Sequence, residues 1–251
     1  MTDNNYPPFG GSLSEFHANY RKSPRERDKV GLSILKNICE KVEDTATIVD
    51  IGAGWGSYAY LIDKNIKNCK ISAIEIDPNC VKSLNNDPEL QNISAIYANI
   101  IETDLAQSWD IATTVAVTCM FAQNEFEELM HAITQLIKPG GYYVGWELFH
   151  DIDQELEIKE IHEGISDLLC IRSNQYIENL FEKLGFINLE FIPFEMPFDM
   201  EPVSETIAWS HKATDIRLPH LKSHTVNTEQ GRYSFRGSMY QPWCHVIAEK
   251  I

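Results

Sequence analysis

Within "VDIGAGWG" (Val49–Gly56) an acid, Asp50, stands two residues ahead of three glycines at alternate positions, Gly52, Gly54 and Gly56. Glycine costs conformational entropy, so three in five residues point to backbone that turns sharply or approaches a ligand closely. Amide N–H groups without a Cβ in the way can face such a ligand, and the start of a following helix favours negative charge. Asp50 adds the opposite preference: a carboxylate in a partly desolvated site attracts cations and repels phosphates. Glu75 follows Gly54 by 21 residues, where an acid at the tip of the next strand can accept from paired ribose hydroxyls. His150 closes "GWELFH", and an imidazole there is suited to accept a proton near neutral pH. Plainer roles stay open, with Asp50 capping a helix, Glu75 on the surface and His150 capping a strand or helix.

These residues need elements that bring them together. "TIVDI" (47–51), "KISAIEI" (70–76), "ISAIYA" (93–98), "WDIATTVAVT" (109–118) and "YYVGWELF" (142–149) read as strands, the fourth buried on both faces. Helical segments alternate with them: 57–65, 78–86 with Pro78 in its first turn, and 124–137, which Pro139-Gly140-Gly141 ends. Strands alternating with helices predict right-handed β-α-β units and a parallel sheet. Residues 25–41 carry Val30, Leu32, Ile34, Leu35 and Ile38 at helical spacing. Farther on, 173–186 reads as a helix closed by Gly185, 187–194 as a strand, and 232–250 as a final strand pair ending in "CHVIAEK". The expected fold class is α/β: a doubly wound, mostly parallel, seven-stranded sheet with helices on both faces. It forms one domain, with an N-terminal arm and helix (1–44), a ligand-binding half (45–150) and a second half (151–251). Residues 195–231 lack periodicity, and a connection that long is expected to act as a lid-like insertion before the last strand.

Charge narrows the partners. The 251 residues carry 37 acids against 21 bases, a net charge of −16, which repels a phosphate backbone, so no nucleic-acid partner is expected. The densest basic stretch, "YRKSPRERDK" (20–29), contains acids and reads as a solvated helix face. The start of the chain lacks the pattern of a signal peptide, and no apolar run approaches the ~20 residues needed to span a bilayer. Cys39, Cys69, Cys80, Cys119, Cys170 and Cys244 are scattered without a close pair, which predicts reduced packing cysteines and a cytoplasmic location.

The glycine loop departs from the dinucleotide fingerprint G-x-G-x-x-G, whose third glycine would fall at Ser57. With Asp50 disfavouring a pyrophosphate, a cationic ligand bearing an amino group fits better, and S-adenosylmethionine is one. At this point the sequence resembles the class I S-adenosylmethionine-dependent methyltransferases. "VDIGAGWG" is similar to their first motif, "AIEIDP" to their ribose-binding acid, and "LIKPGGYYVGWE" to the turn and strand after their fourth helix, over about residues 45–150.

The resemblance implies that Asp50, Gly52, Gly54 and Gly56 hold the methionine end, and that Glu75, with Ile76 beside it, holds the ribose. Asn99 and Ile100 would meet the adenine, with Asp104 in reserve, and Thr118 would complete the site after the fourth strand. Family members often have Asp where this chain has Asn99. The implied reaction is methyl transfer from S-adenosylmethionine, leaving S-adenosylhomocysteine, to a small-molecule oxygen or nitrogen. "VAVTCMF" (115–121) holds no carboxylate for a divalent cation, so no metal is expected. His150 is the candidate base. Tyr20, Arg21, Glu147 and Arg236 are candidate substrate contacts, Tyr20 and Arg21 within a flap. A homodimer is an open option. The alternatives are a protein methyltransferase, an aminopropyl transferase and an NAD-dependent oxidoreductase.

Overall fold

β-branched and apolar runs build the sheet that the alternation predicts. The computed structural model describes residues 17, 20–162, 165–194, 224–228, 231–235 and 242–251. β1 (Ala46–Ile51) lies between β2 (Cys69–Glu75) and β4 (Trp109–Val115), parallel to both. β3 (Ile93–Tyr97) continues parallel on β2, and β5 (Ile137–His150) continues parallel on β4. β11 (Trp243–Lys250) then pairs antiparallel with both β5 and β8 (Phe186–Pro193). The resulting order is β3-β2-β1-β4-β5-β11-β8. Strand order reverses between β1 and β4, and the crevice beyond the carboxyl ends at such a switch point is where open α/β sheets bind ligands.

Helices cover both faces. Leu32, Leu35 and Ile38 of α1 (Glu26–Cys39) and Tyr58, Leu61 and Ile62 of α2 (Ser57–Asn65) pack with Ile48, Ile71, Ile111 and Val144. α3 (Pro78–Asn86) starts with proline in its first turn, and the Asp77 carboxylate caps it by accepting from the Asn79 N–H. On the opposite face, Phe126, Leu129, Met130 and Ile133 of α4 (Gln123–Gln135) join Ile177, Leu180 and Phe181 of α5 (Asn174–Lys183) against Val49, Ile51, Ala112 and Tyr143. Burial of about a dozen large aliphatic and aromatic side chains per face, at about 1.5–3 kcal/mol each, is what holds helices to sheet.

Three features differ from expectation. β4 ends at Val115 because Ala116 adopts φ 58°, a left-handed conformation that breaks the strand. Pro139-Gly140-Gly141 does not end a helix; it lies inside β5, where pairing with β4 jumps from Trp109↔Ile137 to Ile111↔Tyr142 as a bulge. Third, β6 (Leu156–His162) and β7 (Ile165–Ser173) form an antiparallel hairpin, and β7 joins the end of β5 at Phe149↔Arg172 and His150↔Ser173.

Backbone contacts divide the chain into two units: residues 17–194 with 242–251, and residues 1–16 with 195–241. All the elements above belong to the first. In the second, β9 (His224–Thr228) and β10 (Gly231–Phe235) form an antiparallel hairpin. Most of the expected lid-like insertion, like most of the N-terminal arm, lies outside the described residues.

Candidate cofactor and acceptor site

The glycines divide the work of the first loop. All three have positive φ. A Cβ on Gly52 would strike Val117, and one on Gly56 would strike Leu84, so these two are needed for packing as well as for their turn. A Cβ on Gly54 (φ 53°) would meet nothing within 4 Å. Gly54 is therefore the glycine of the three with an open side.

Asp50 lies under this loop, only 2% exposed. It accepts from the Ala59 N–H of α2, while its Oδ2 is buried without a hydrogen-bond partner. Burial pushes its carboxyl up to about 7, the Ala59 bond opposes this, and Glu75 adds to it. A buried carboxylate oxygen without a donor is costly unless a partner arrives. Glu75 is more fully occupied. Its Oε2 accepts from the Gly54 N–H at 2.7 Å, and its Oε1 from the N–H groups of Ile76 and Asp77 at 2.7 and 2.9 Å. A carboxylate offers about four acceptor positions, so one remains on Oε2 for a ligand hydroxyl.

Ile76, at the tip of β2, is an exposed apolar side chain, as is Tyr97 at the end of β3. Asn99 turns the chain after β3: its side-chain oxygen accepts from the Ile101 N–H at 3.2 Å, and its carbonyl accepts from Glu102 and Thr103. Ile100 is buried behind it. Asp50, Gly54, Glu75, Ile76 and Asn99 thus line the carboxyl edge of β1, β2 and β3. An acid with one unpartnered oxygen, an open glycine and a spare acceptor suit a ligand with an ammonium at one end and a ribose in the middle.

The loop after β4 forms the other side of the switch point. Thr118 is wholly buried, its hydroxyl unpartnered. Glu147, expected to face a cationic substrate, is instead turned inward and 0% exposed. Its oxygens accept from the Thr114 hydroxyl at 2.7 Å and from the N–H groups of Val117, Thr118 and Cys119 at 3.3, 3.1 and 3.3 Å. Burial raises its carboxyl above the ordinary value while these donors oppose the rise. Glu147 does lie on the side of β5 that carries Tyr143, whose hydroxyl is 2.7 Å from that of Thr114.

Tyr20 and Arg21, expected in a substrate flap, are committed to the scaffold. The Tyr20 hydroxyl lies 2.7 Å from both carboxylate oxygens of Asp28. The Arg21 guanidinium donates to the Trp55 carbonyl in the glycine loop at 2.8 Å and pairs with Asp87 at 2.6 Å. Near them His17 places Nδ1 2.7 Å from the Ser57 hydroxyl and stacks on Trp55. His150, at the end of β5, is 4% exposed, and its Nε2 lies 2.7 Å from the Gln154 carbonyl. A carbonyl only accepts, so Nε2 is the donor in that bond. Arg236 lies outside the described residues. No group of three or more His, Cys, Asp or Glu side chains among the described residues could hold a metal ion, and no helix among them is long and apolar enough to cross a membrane.

Residues 24–190, two-thirds of the chain, match the profile of the family described as "Methyltransferase domain". This chain belongs to that family. Its fold is that of solved class I methyltransferases. No curated protein matches its sequence. Solved structures share the fold at low identity. An amino pentose methyltransferase from Micromonospora echinaspora, bound to S-adenosylmethionine, is 13% identical with TM-score 0.56, over 100% of both chains. A 1,6-didemethyltoxoflavin N1-methyltransferase from Burkholderia thailandensis is 12% identical with TM-score 0.54, over 94% of this chain and 86% of that one. Human N-acetylserotonin methyltransferase is 14% identical with TM-score 0.58, over 94% of this chain and 55% of that one.

Two features of the methyltransferase have no counterpart in the sequence reading. Arg172 of β7 is buried and donates to the Thr118 and Phe121 carbonyls in the loop after β4. His17 reaches the glycine loop across 40 residues. An arginine inside an apolar run, "LLCIRS", was the available signal for the first, since a buried guanidinium implies nearby acceptors. Nothing local marks the second.

Proposed function

We infer that this methyltransferase transfers a methyl group from S-adenosylmethionine to a small-molecule oxygen or nitrogen, without a metal. The observation that carries the cofactor half is Asp50: a buried carboxyl with an unpartnered oxygen beneath an open glycine. Asp50 receives the ammonium of the methionine end, and the Gly54 side of the loop receives the chain beside it. The free acceptor position on Glu75 takes a ribose hydroxyl, with Ile76 and the Asn99–Ile100 turn against the adenine. The cofactor supplies a methyl group already made electrophilic by its sulfonium, so the protein's task is alignment and exclusion of water.

The acceptor meets the methyl group beyond β4 and β5, between the Val117–Phe121 loop and His150. His150, at the end of β5, takes the proton of an acceptor that arrives protonated. Arg21 supports the glycine loop and Tyr20 holds Asp28 instead of binding substrate. The small-molecule reading draws on the acidic surface and on the named substrates of the two bacterial proteins of similar fold. A nicotinamide cofactor fits less well, because its pyrophosphate would face Asp50. Titration calorimetry with S-adenosylmethionine, S-adenosylhomocysteine and NADH tests the cofactor assignment. Binding of the first two and not of NADH is expected, and the reverse preference would overturn it.

A further inference from the structure

Glu147 of β5 and Arg172 of β7 reach the same loop, Val117–Phe121, from two strands. The carboxylate gathers the N–H groups of Val117, Thr118 and Cys119. The guanidinium donates Nη1 to the Thr118 carbonyl at 3.2 Å and Nη2 to the Phe121 carbonyl, and lies 3.8 Å from the Phe126 ring centroid. Amide ends thus meet a negative charge and carbonyl ends a positive one. Five backbone polar groups of this short loop hydrogen-bond to two buried side chains, and only the Thr118 carbonyl among them also accepts from the loop itself, from the Phe121 N–H. The loop also starts at Ala116, whose φ of 58° alanine adopts only when its surroundings impose it.

Stability alone explains such an arrangement poorly, since apolar residues of similar volume often serve a core as well as buried opposite charges do. Fixed shape explains it better, because the loop borders the switch point where the acceptor must be aligned to within about an ångström. Arg172 also gives the β6–β7 hairpin a purpose, carrying a cation to the end of β4.

We propose that Glu147 and Arg172 are a pair of positioning residues that hold Val117–Phe121 in the shape against which the methyl acceptor is aligned. The proposal rests on the methyl-transfer reading above. Glu147→Gln keeps the volume but sets an amide against backbone N–H groups, and Arg172→Lys keeps the charge but loses the planar fork. Turnover is read as S-adenosylhomocysteine release, with the small-molecule fraction of a cell extract as acceptor. Cofactor affinity is read by calorimetry, and loop order by deuterium exchange of peptides covering 116–122. Each variant is expected to lose at least about tenfold in turnover, with cofactor affinity within about threefold of wild type and faster exchange confined to that loop. The double variant should be no slower than the slower single variant, as holds for two groups acting on one loop. Millimolar guanidinium should restore part of the turnover of Arg172→Ala. Unchanged turnover, losses that multiply in the double variant, or a matching loss of cofactor affinity would each overturn the pair. A wild-type protein that releases no S-adenosylhomocysteine would instead overturn the methyl-transfer reading, and this role with it.

Discussion

Asp50 is the residue on which most of the proposed chemistry turns. Its carboxyl, pushed up to about 7 by burial, is close to half ionised near neutral pH before a ligand binds. An ammonium ligand favours the ionised form, so binding must expel the residual proton. Affinity for S-adenosylmethionine should rise by up to about tenfold per pH unit below pH 7, then level off. Calorimetry in buffers of different ionisation enthalpy should detect the released proton at pH 6, and Asp50→Asn should lack this rising limb. A pH-independent affinity in the wild type would contradict the role. Without ligand the sign reverses: the raised carboxyl costs the fold stability as pH climbs from the ordinary aspartate range through 7.

Glu75 makes a different kind of contribution. Three backbone N–H groups depend on it, so Glu75→Ala should lower the melting temperature as well as cofactor affinity. The affinity loss expected for one charge-assisted hydrogen bond is about 1.5–3 kcal/mol, roughly ten- to hundredfold. A folded variant that binds S-adenosylmethionine normally would remove Glu75 from the site. His150→Ala should cut turnover by roughly 10²–10⁴ with cofactor affinity intact, and less at high pH for an acceptor that ionises unaided. Full activity would leave alignment as the sole catalytic principle.

Among the elements, the segment through His17 and Arg21 behaves as a tether on the glycine loop. Burial, helped by the Arg21 charge, lowers His17 to about 4, so the ring is neutral while it touches Ser57. Detachment restores its ordinary value of 6.5, so the tether holds above that pH and weakens as pH falls from 6.5 towards 4. An NMR titration of the His17 ring should show a midpoint near 4, whereas a midpoint near 6.5 would mean the contact does not form in solution.

This scale also shows where sequence reading succeeds. β1, β2, β4 and the loop between β1 and α2 are legible because their signal is local: short β-branched runs, then glycines, then a helical stripe. The β6–β7 hairpin is not. Ile158, Ile161 and Ile165 recur at helical spacing in "LEIKEIHEGI", which masks the alternation of a strand. At Pro139-Gly140-Gly141 the residues announce irregular backbone, yet only the neighbouring strand decides between a turn and a bulge. Glu147 shows the same boundary within the site. Its side of β5 follows from period two, but its inward commitment depends on amides of a loop thirty residues away.

At the scale of the molecule, a net charge of −16 and the sheet's switch point support the proposed cationic cofactor and small-molecule acceptor. The six cysteines are all free thiols, and burial holds Cys119, Cys244, Cys39 and Cys80 above the ordinary thiol range, so they are poor nucleophiles at neutral pH. With no acid exposed on the loop after β4, chelators such as EDTA should leave turnover unchanged, and inhibition restored by a divalent cation would contradict the metal-free reading. The central claim is methyl transfer to a small molecule, and the most direct measurement follows the methyl group itself. Purified protein is incubated with methyl-labelled S-adenosylmethionine and whole-cell extract, then separated into small-molecule, protein and nucleic-acid fractions. Label in the small-molecule fraction, matched mole for mole by S-adenosylhomocysteine, is the predicted result; label carried by protein or nucleic acid, or no transfer at all, would contradict it.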